Sequence, residues 1–283
     1  MRKIMFTAVF AVAFMSAVTP NLFAANKGKV ELAYVEWACA TASTNLVKAV
    51  LHEKMGYDVE IIPVSAAAMW QGVGAGDVDG LVCAWLETTH GHYLKKVKDK
   101  VDNLGPNVKG TRIGLVVPAY VTIKSIAQMN NHADKFDGKI IGIDPGAGIM
   151  SKTEKAIKEY GLAKLELMEG SDATMTAVLK DRIKNKKWVV VTGWTPHWKF
   201  GKWDLKYLED PKGIYGGAEH IGTIVRKGLE KDMPEVRKFL DKYSLSPAEL
   251  AKMMVWNSEG ADPYESAKRW IKENPDKVKE WFK

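Results

Sequence analysis

Apolar positions along the chain gather into short runs separated by longer amphipathic stretches, and the order of the runs repeats. "GKVELAYV" (28–35) and "GKIIGIDP" (138–145) both open with Gly-Lys and continue as a short apolar strand. "GYDVEIIPVSAAAM" (56–69) matches "GLAKLELMEGSDATM" (161–175): a glycine ends a helix, a strand follows, and Ser-x-Ala-x-Met opens another helix. "DGLVCAWLETTH" (79–90) matches "KWVVVTGWTPHW" (187–198), each a buried strand running into a tryptophan with a histidine shortly after. Three matches in one order predict two similar halves, each strand, helix, strand, helix, strand. That alternation predicts an α/β protein of two lobes, each a mostly parallel sheet covered by helices, with right-handed crossovers and a cleft between the lobes. The near-continuous apolar character of the strands fits sheets covered on both faces.

Two further runs, "RIGLVVPAY" (112–120) and "HIGTIVRKG" (220–228), resemble each other and flank the second half. They predict strands that cross between the lobes. Beyond Gly228 the pattern is helical, with Ser246 as an N-cap followed three residues on by Glu249, and Pro263 near the start of a later helix. These helices are expected to pack back on the first lobe. The division that follows is residues 26–118 for lobe I, completed by 226–283, and 119–225 for lobe II.

In open α/β sheets ligands bind beyond the carboxyl ends of the strands. Trp37, Trp85 and Trp194 all fall at such ends, as does the loop "DPGAGIM" (144–150). Ten tryptophans in 283 residues are more than packing alone recruits. Three indole faces with no nearby acid suit a cation that cannot donate hydrogen bonds, such as a quaternary ammonium, by cation–π attraction of about 0.5–2 kcal/mol per ring. In the loop, Gly146 and Gly148 let backbone come close to a ligand. Ile149 begins a helix whose first N–H groups lack internal partners and whose dipole favours an anion. Together with a donor from His90, that is a seat for a carboxylate. A cage for a cation beside a seat for a carboxylate describes a betaine. Trp70 reads as packing or support, and Trp198 and Trp203 as structural.

The N-terminal stretch changes where this chemistry is expected to occur. Arg2 and Lys3 precede an uncharged apolar run, then Pro20 and a small-residue site near Ala24 or Ala25, the pattern of a signal peptide (1–25). The rival reading, a membrane anchor, is disfavoured by Pro20 and the alanine pair. No cysteine ends the run to carry a lipid. A soluble protein of the periplasm follows. Formal charge is +7, but lysines and acids are interspersed and no basic run carries interleaved aromatics, so nucleic acid is not an expected partner. Cys39 and Cys83 each lie two residues from a tryptophan, and in an oxidising compartment they either bridge or remain thiols.

"LAYVEW", "AMW", "AWLETTH", "GLVVP", "IIGIDPGAGIM" and "TGWTPHW" with the later "LKYLEDP" resemble the substrate-binding proteins of glycine betaine and proline betaine ABC importers, across essentially the whole mature chain. The resemblance implies a two-lobed periplasmic-binding-protein fold. It implies a cage of Trp37, Trp85 and Trp194, and a carboxylate held by His90 and the backbone N–H groups of Gly148 and Ile149. Trp37, Trp85 and His90 would come from the first lobe, and Trp194, Gly148 and Ile149 from the second. It also implies a monomer that delivers its osmolyte to a membrane permease, with no cofactor and no metal. Where similar proteins carry acidic residues after the first cage tryptophan, this chain has "ACATAST", which removes charge near the cleft mouth and leaves the cage intact. The two cysteines look like additions to the family pattern. The alternative ligand class is choline or another quaternary amine, which needs no carboxylate seat. The enzyme alternative is a thiol hydrolase using Cys39 or Cys83 with His90, but neither cysteine sits in a nucleophile motif and no base–orienter pair is visible. A metal reading of His90 and His92 with a cysteine matches no strong ligand spacing.

Overall fold

The computed structural model describes residues 27–283. The signal peptide expected at 1–25 and its cleavage near Ala24 or Ala25 lie outside the described residues. The first half starts with β1 (Lys29–Tyr34), α1 (Ala38–Glu53) and β2 (Asp58–Pro63), in which β2 pairs parallel to β1 from Lys29↔Asp58 to Tyr34↔Pro63. Next come α2 (Ala66–Ala75) and β3 (Gly80–Leu86), and β3 lies parallel on the other side of β1. Every residue of β3 is buried, which accounts for its unbroken apolar sequence.

The second half repeats this order. β5 (Lys139–Ile141) is followed by α4 (Gly148–Glu159), β6 (Glu166–Met168), α5 (Asp172–Lys184) and β7 (Val191–Thr195), with β6 and β7 parallel on either side of β5. The Ser-x-Ala-x-Met signals act as caps in both halves. Ser65 Oγ accepts from Ala68 N at 3.4 Å to start α2, and Ser171 Oγ accepts from Thr174 N at 3.1 Å to start α5.

The halves are joined by one long strand, β4 (Val101–Pro118). Residues 101–111 of β4 pair with β9 (Glu219–Arg226), and residues 112–116 pair with β7. Gly105 (φ 90°) and Gly110 (φ 77°) sit at shifts in its register, where the strand takes up bulges. The crossing expected at 112–120 is therefore made by β4. The crossing expected at 220–228 is not made by β9, which pairs antiparallel with β3 from Gly80↔Val225 to Leu86↔His220 and with the first part of β4. Its apolar face finds a complete ladder inside the first sheet, so the chain returns earlier, in the segment after β8 (Leu205–Tyr207). The strand order is β2-β1-β3-β9-β4-β7-β5-β6, with β8 also on β4. Each half thus has three parallel strands flanked by antiparallel ones.

Two short helices, α3 (Gly91–Val97) and α6 (Lys199–Lys202), follow β3 and β7, and the C-terminal helices, beginning with α7 (Leu229–Asp232) and α8 (Pro234–Lys242), pack on the first half, as the sequence predicts. Ser246 caps α9 (Pro247–Ser258), its N–H donating to Glu249 Oε2 at 2.7 Å while Glu249 N donates back to Ser246 Oγ at 3.2 Å. α10 (Pro263–Glu273) lies along α1, burying Trp270 and joining Tyr264 OH to Glu53 Oε1 at 2.9 Å. No helix among the described residues is long and apolar enough to cross a membrane.

Candidate functional site

All six residues named from the sequence, Trp37, Trp85, His90, Gly148, Ile149 and Trp194, line one cavity. Trp37 is the N-cap of α1, three residues past the end of β1, and its extended backbone (φ −81°, ψ 144°) turns the chain from strand to helix. Trp85 is the penultimate residue of β3. Trp194 holds the corresponding place in β7, opposite Ile113 of β4. In both repeats the peptide bond after the next residue is cis, at Leu86–Glu87 and Thr195–Pro196. The three indoles are each at least 95% buried. Sequence reasoning missed Thr89, Ile113, Ile143 and Ala147, which complete the wall. Ala147 and Thr89 adjoin named residues and could have been found by proximity. Ile113 carries no local signal, because only strand pairing puts it beside Trp194.

His90 is fixed in one tautomer. Trp85 N–H donates to its Nδ1 at 3.2 Å, so Nε2 carries the proton and is the ring's donor. The ring is 1% exposed, and burial, aided by the charge of His92, lowers its pKa to about 3. His90 is thus a neutral donor at physiological pH. Trp70 packs edge-on against it at 5.9 Å between centroids and stacks on Tyr93 at 6.3 Å, a supporting position. The preceding loop is held by Glu219, whose carboxylate accepts from Thr88 N at 3.1 Å, Thr89 N at 2.9 Å and Thr89 Oγ1 at 2.7 Å.

Several contacts join the halves around the cavity. Trp37 Nε1 donates to Asp144 Oδ2 at 2.7 Å, linking the ends of the equivalent strands β1 and β5. Tyr93 OH donates to Gly146 O at 2.9 Å. Ala38 N donates to Asp172 Oδ2 at 2.9 Å, and His197 Nε2 donates to Asp172 Oδ1 at 3.0 Å. Lys199 N donates to His197 Nδ1, which sets that tautomer. Gly148 faces Thr89 so closely that a Cβ there would lie 2.3 Å from the Thr89 carbonyl oxygen. Ala147, the N-cap of α4, offers no side-chain cap, so the first-turn N–H groups of Gly148 and Ile149 are of the kind a helix leaves without an internal partner.

The charge balance of this wall decides what it suits. None of the lining residues is acidic or formally cationic. The nearby carboxylate of Asp144 is engaged by the Trp37 indole, and burial pushes its pKa up. The cavity brings three tryptophans together with His90 and the first residues of α4, and no acidic side chain is among its lining residues.

Cys39 and Cys83 are buried free thiols with sulfurs 3.8 Å apart. The Cys83 thiol is held well above its usual pKa by its hydrogen bond to Cys39 and by burial, the reverse of an activated nucleophile.

Comparison with known proteins gives a consistent picture. A family model described as "Substrate binding domain of ABC-type glycine betaine transport system" matches residues 28–273. The glycine betaine/carnitine transport binding protein GbuC of Listeria monocytogenes is 45% identical over 170 residues, which are 59% of this chain and 55% of that relative's length. The lactococcal OpuAC structure, closed and complexed with glycine betaine, is 44% identical with a TM-score of 0.86, covering 90% of this chain and 100% of that one. An ABC-transporter choline-binding protein in complex with choline is 27% identical with a TM-score of 0.84, covering 89% of this chain and 91% of that one. The two-lobed fold expected from the sequence is the fold of these structures.

Proposed function

We propose a function from a plain premise: this chain belongs to the family of substrate-binding domains of ABC-type glycine betaine transport systems. It captures glycine betaine, or a related quaternary-ammonium or sulfonium osmolyte with a carboxylate, and delivers it to the permease of an ABC importer. It acts in the periplasm, as a monomer, and makes no bond. The observation that supports this reading is that three tryptophans, His90 and the first residues of α4 line one cavity with no acidic residue in its lining. A quaternary ammonium gains from the aromatic faces. With no carboxylate among the lining residues to neutralise it, the ligand brings its own, and that carboxylate satisfies donors that choline would leave unpaired and buried.

The lobes in this reading are residues 27–111 with 219–283, and 112–218. The boundaries follow the change of partner along β4 and the pairing of β9 with β3. Trp37, Trp85 and His90 then come from one lobe, and Trp194, Gly148 and Ile149 from the other. A ligand that touches both shifts the population toward closure. Calorimetric titration of refolded mature protein with glycine betaine and then choline tests the assignment. Tight betaine with weak choline is expected. Choline binding as tight or tighter would keep the cage and discard the carboxylate seat, and no binding of either would remove the ligand class altogether.

A further inference from the structure

Lys199 is fully buried, and its Nζ has no hydrogen-bond partner among the described residues. It lies 4.1 Å from the centroid of the Trp194 ring and 5.8 Å from that of Phe200. Trp194 walls the cavity and Lys199 does not line it. The ammonium therefore sits over the Trp194 indole from outside the cavity lining.

We propose that Lys199 is a positioning residue that sets the strength of the cage through Trp194: charged, it competes from behind the ring with the ligand's cation in front, and on losing its proton it releases the ring to the ligand. The proposal rests on the betaine reading above. An aromatic ring is negative on both faces. A cation on one face draws π density toward itself and leaves the other face a weaker partner. Like charges on opposite sides of one ring also repel, and a water-poor site screens them poorly.

The groups around the ammonium allow it to titrate. Asp172 faces it from the start of α5, His197 from the loop before it, and Cys39 from α1. Asp172 favours the charged form from a distance, its own oxygens being taken by His197 and by the Ala38 N–H. Burial outweighs that help and lowers the pKa of Lys199 to about 8. His197 is held neutral down to about pH 4 by burial and then by the charge of Lys199, and His90 down to about pH 3. Between pH 6.5 and 9.5 these histidines therefore stay neutral while Lys199 changes charge. The sign follows from linkage. A bound cation disfavours the ammonium, so binding expels a proton, and affinity is lower below about pH 8 and rises to a plateau above it.

The experiment is calorimetric titration with glycine betaine of wild type and Lys199→Met, at pH 6.5 and 9.5, and at pH 8 in two buffers of different ionisation enthalpy. Wild type is expected to tighten about tenfold from the lower to the higher pH and to release a fraction of a proton at pH 8. Lys199→Met is expected to bind at pH 6.5 as tightly as wild type at pH 9.5, with no pH response and no proton release. Tight wild-type binding that is flat with pH and releases no proton overturns the role of Lys199 and leaves the betaine reading intact. It does so whether or not the variant folds. A pH response that persists unchanged in Lys199→Met also overturns it, because another group is then titrating. Wild type that binds no betaine at any of these pH values overturns both readings together.

Discussion

Trp85 and Trp194 are the residues on which the proposed cage rests most directly, since each lies near the end of a strand and is buried against the same cavity. Trp85→Ala or Trp194→Ala is expected to weaken glycine betaine by at least about tenfold, the loss of one cation–π face. The far-ultraviolet circular dichroism should be unchanged, and unchanged affinity would sink the cage. His90→Ala should cost more with betaine than with choline in parallel titrations, because the Nε2–H has a partner only in the ligand that carries a carboxylate. Gly148 separates two physical effects. In the first turn of a helix, alanine is better than glycine by up to about 1 kcal/mol. Yet a Cβ at 148 would meet the Thr89 carbonyl oxygen at 2.3 Å across the cleft. Gly148→Ala is therefore expected to keep or raise the melting temperature and to weaken betaine by tenfold or more. A variant that binds normally would show that the halves need not approach this closely.

At the scale of elements, the candidate site lies at strand-to-helix junctions. The ends of β1 and β5 meet through Trp37 and Asp144, and the starts of α1 and α5 meet through Ala38 N and Asp172. Ser171 caps α5, and the next residue is that bridging aspartate. Ser171→Ala should therefore do two things. It should lower stability by about 1 kcal/mol, as lost N-caps do, read from urea unfolding. It should also weaken betaine, because a frayed first turn no longer holds Asp172 against His197 and the opposite helix. A loss of stability with unaltered affinity would limit the cap to a local role. The same scale explains why the repeats were readable: each Ser-x-Ala-x-Met signal carries its own hydrogen bonds within four residues. The role of β9 was not readable. Its apolar run suits either sheet, and only the ladder to β3 and β4 assigns it.

For the whole molecule, buried histidines tie folding to pH. His90 and His197 are neutral in the folded chain down to about pH 3 and 4, against 6.5 for an unburied ring, because burial disfavours the cation. The unfolded chain binds those protons first, so stability is full above about pH 6.5 and falls as pH drops toward 4. Each histidine contributes a slope of about 1.4 kcal/mol per pH unit in that window. Asp172, buried but held below its usual pKa by His197, Lys199 and the Ala38 N–H, acts in the same direction at lower pH. Thermal melts from pH 7 to 4 should show a steep decline that is shallower in His90→Gln. Equal slopes would mean that His90 reaches solvent and titrates freely.

The sequence by itself determined whatever depends on local chemistry or on period. This covers the two α/β repeats, the caps, the strand-end tryptophans, and the glycine loop that opens α4. These are legible because hydrophobic period and capping residues act over a few positions, and because the carboxyl ends of parallel strands are where ligands go. Tertiary structure alone decided which residues meet in space. Ile113 beside Trp194, Asp172 on Ala38 N, and Lys199 behind the Trp194 ring are separated by tens of residues or lie on different elements, and no spacing announces them. It also decided the state of His90, since a histidine's tautomer and charge follow from what buries it and what its other nitrogen bonds, and neither is written in the neighbouring letters.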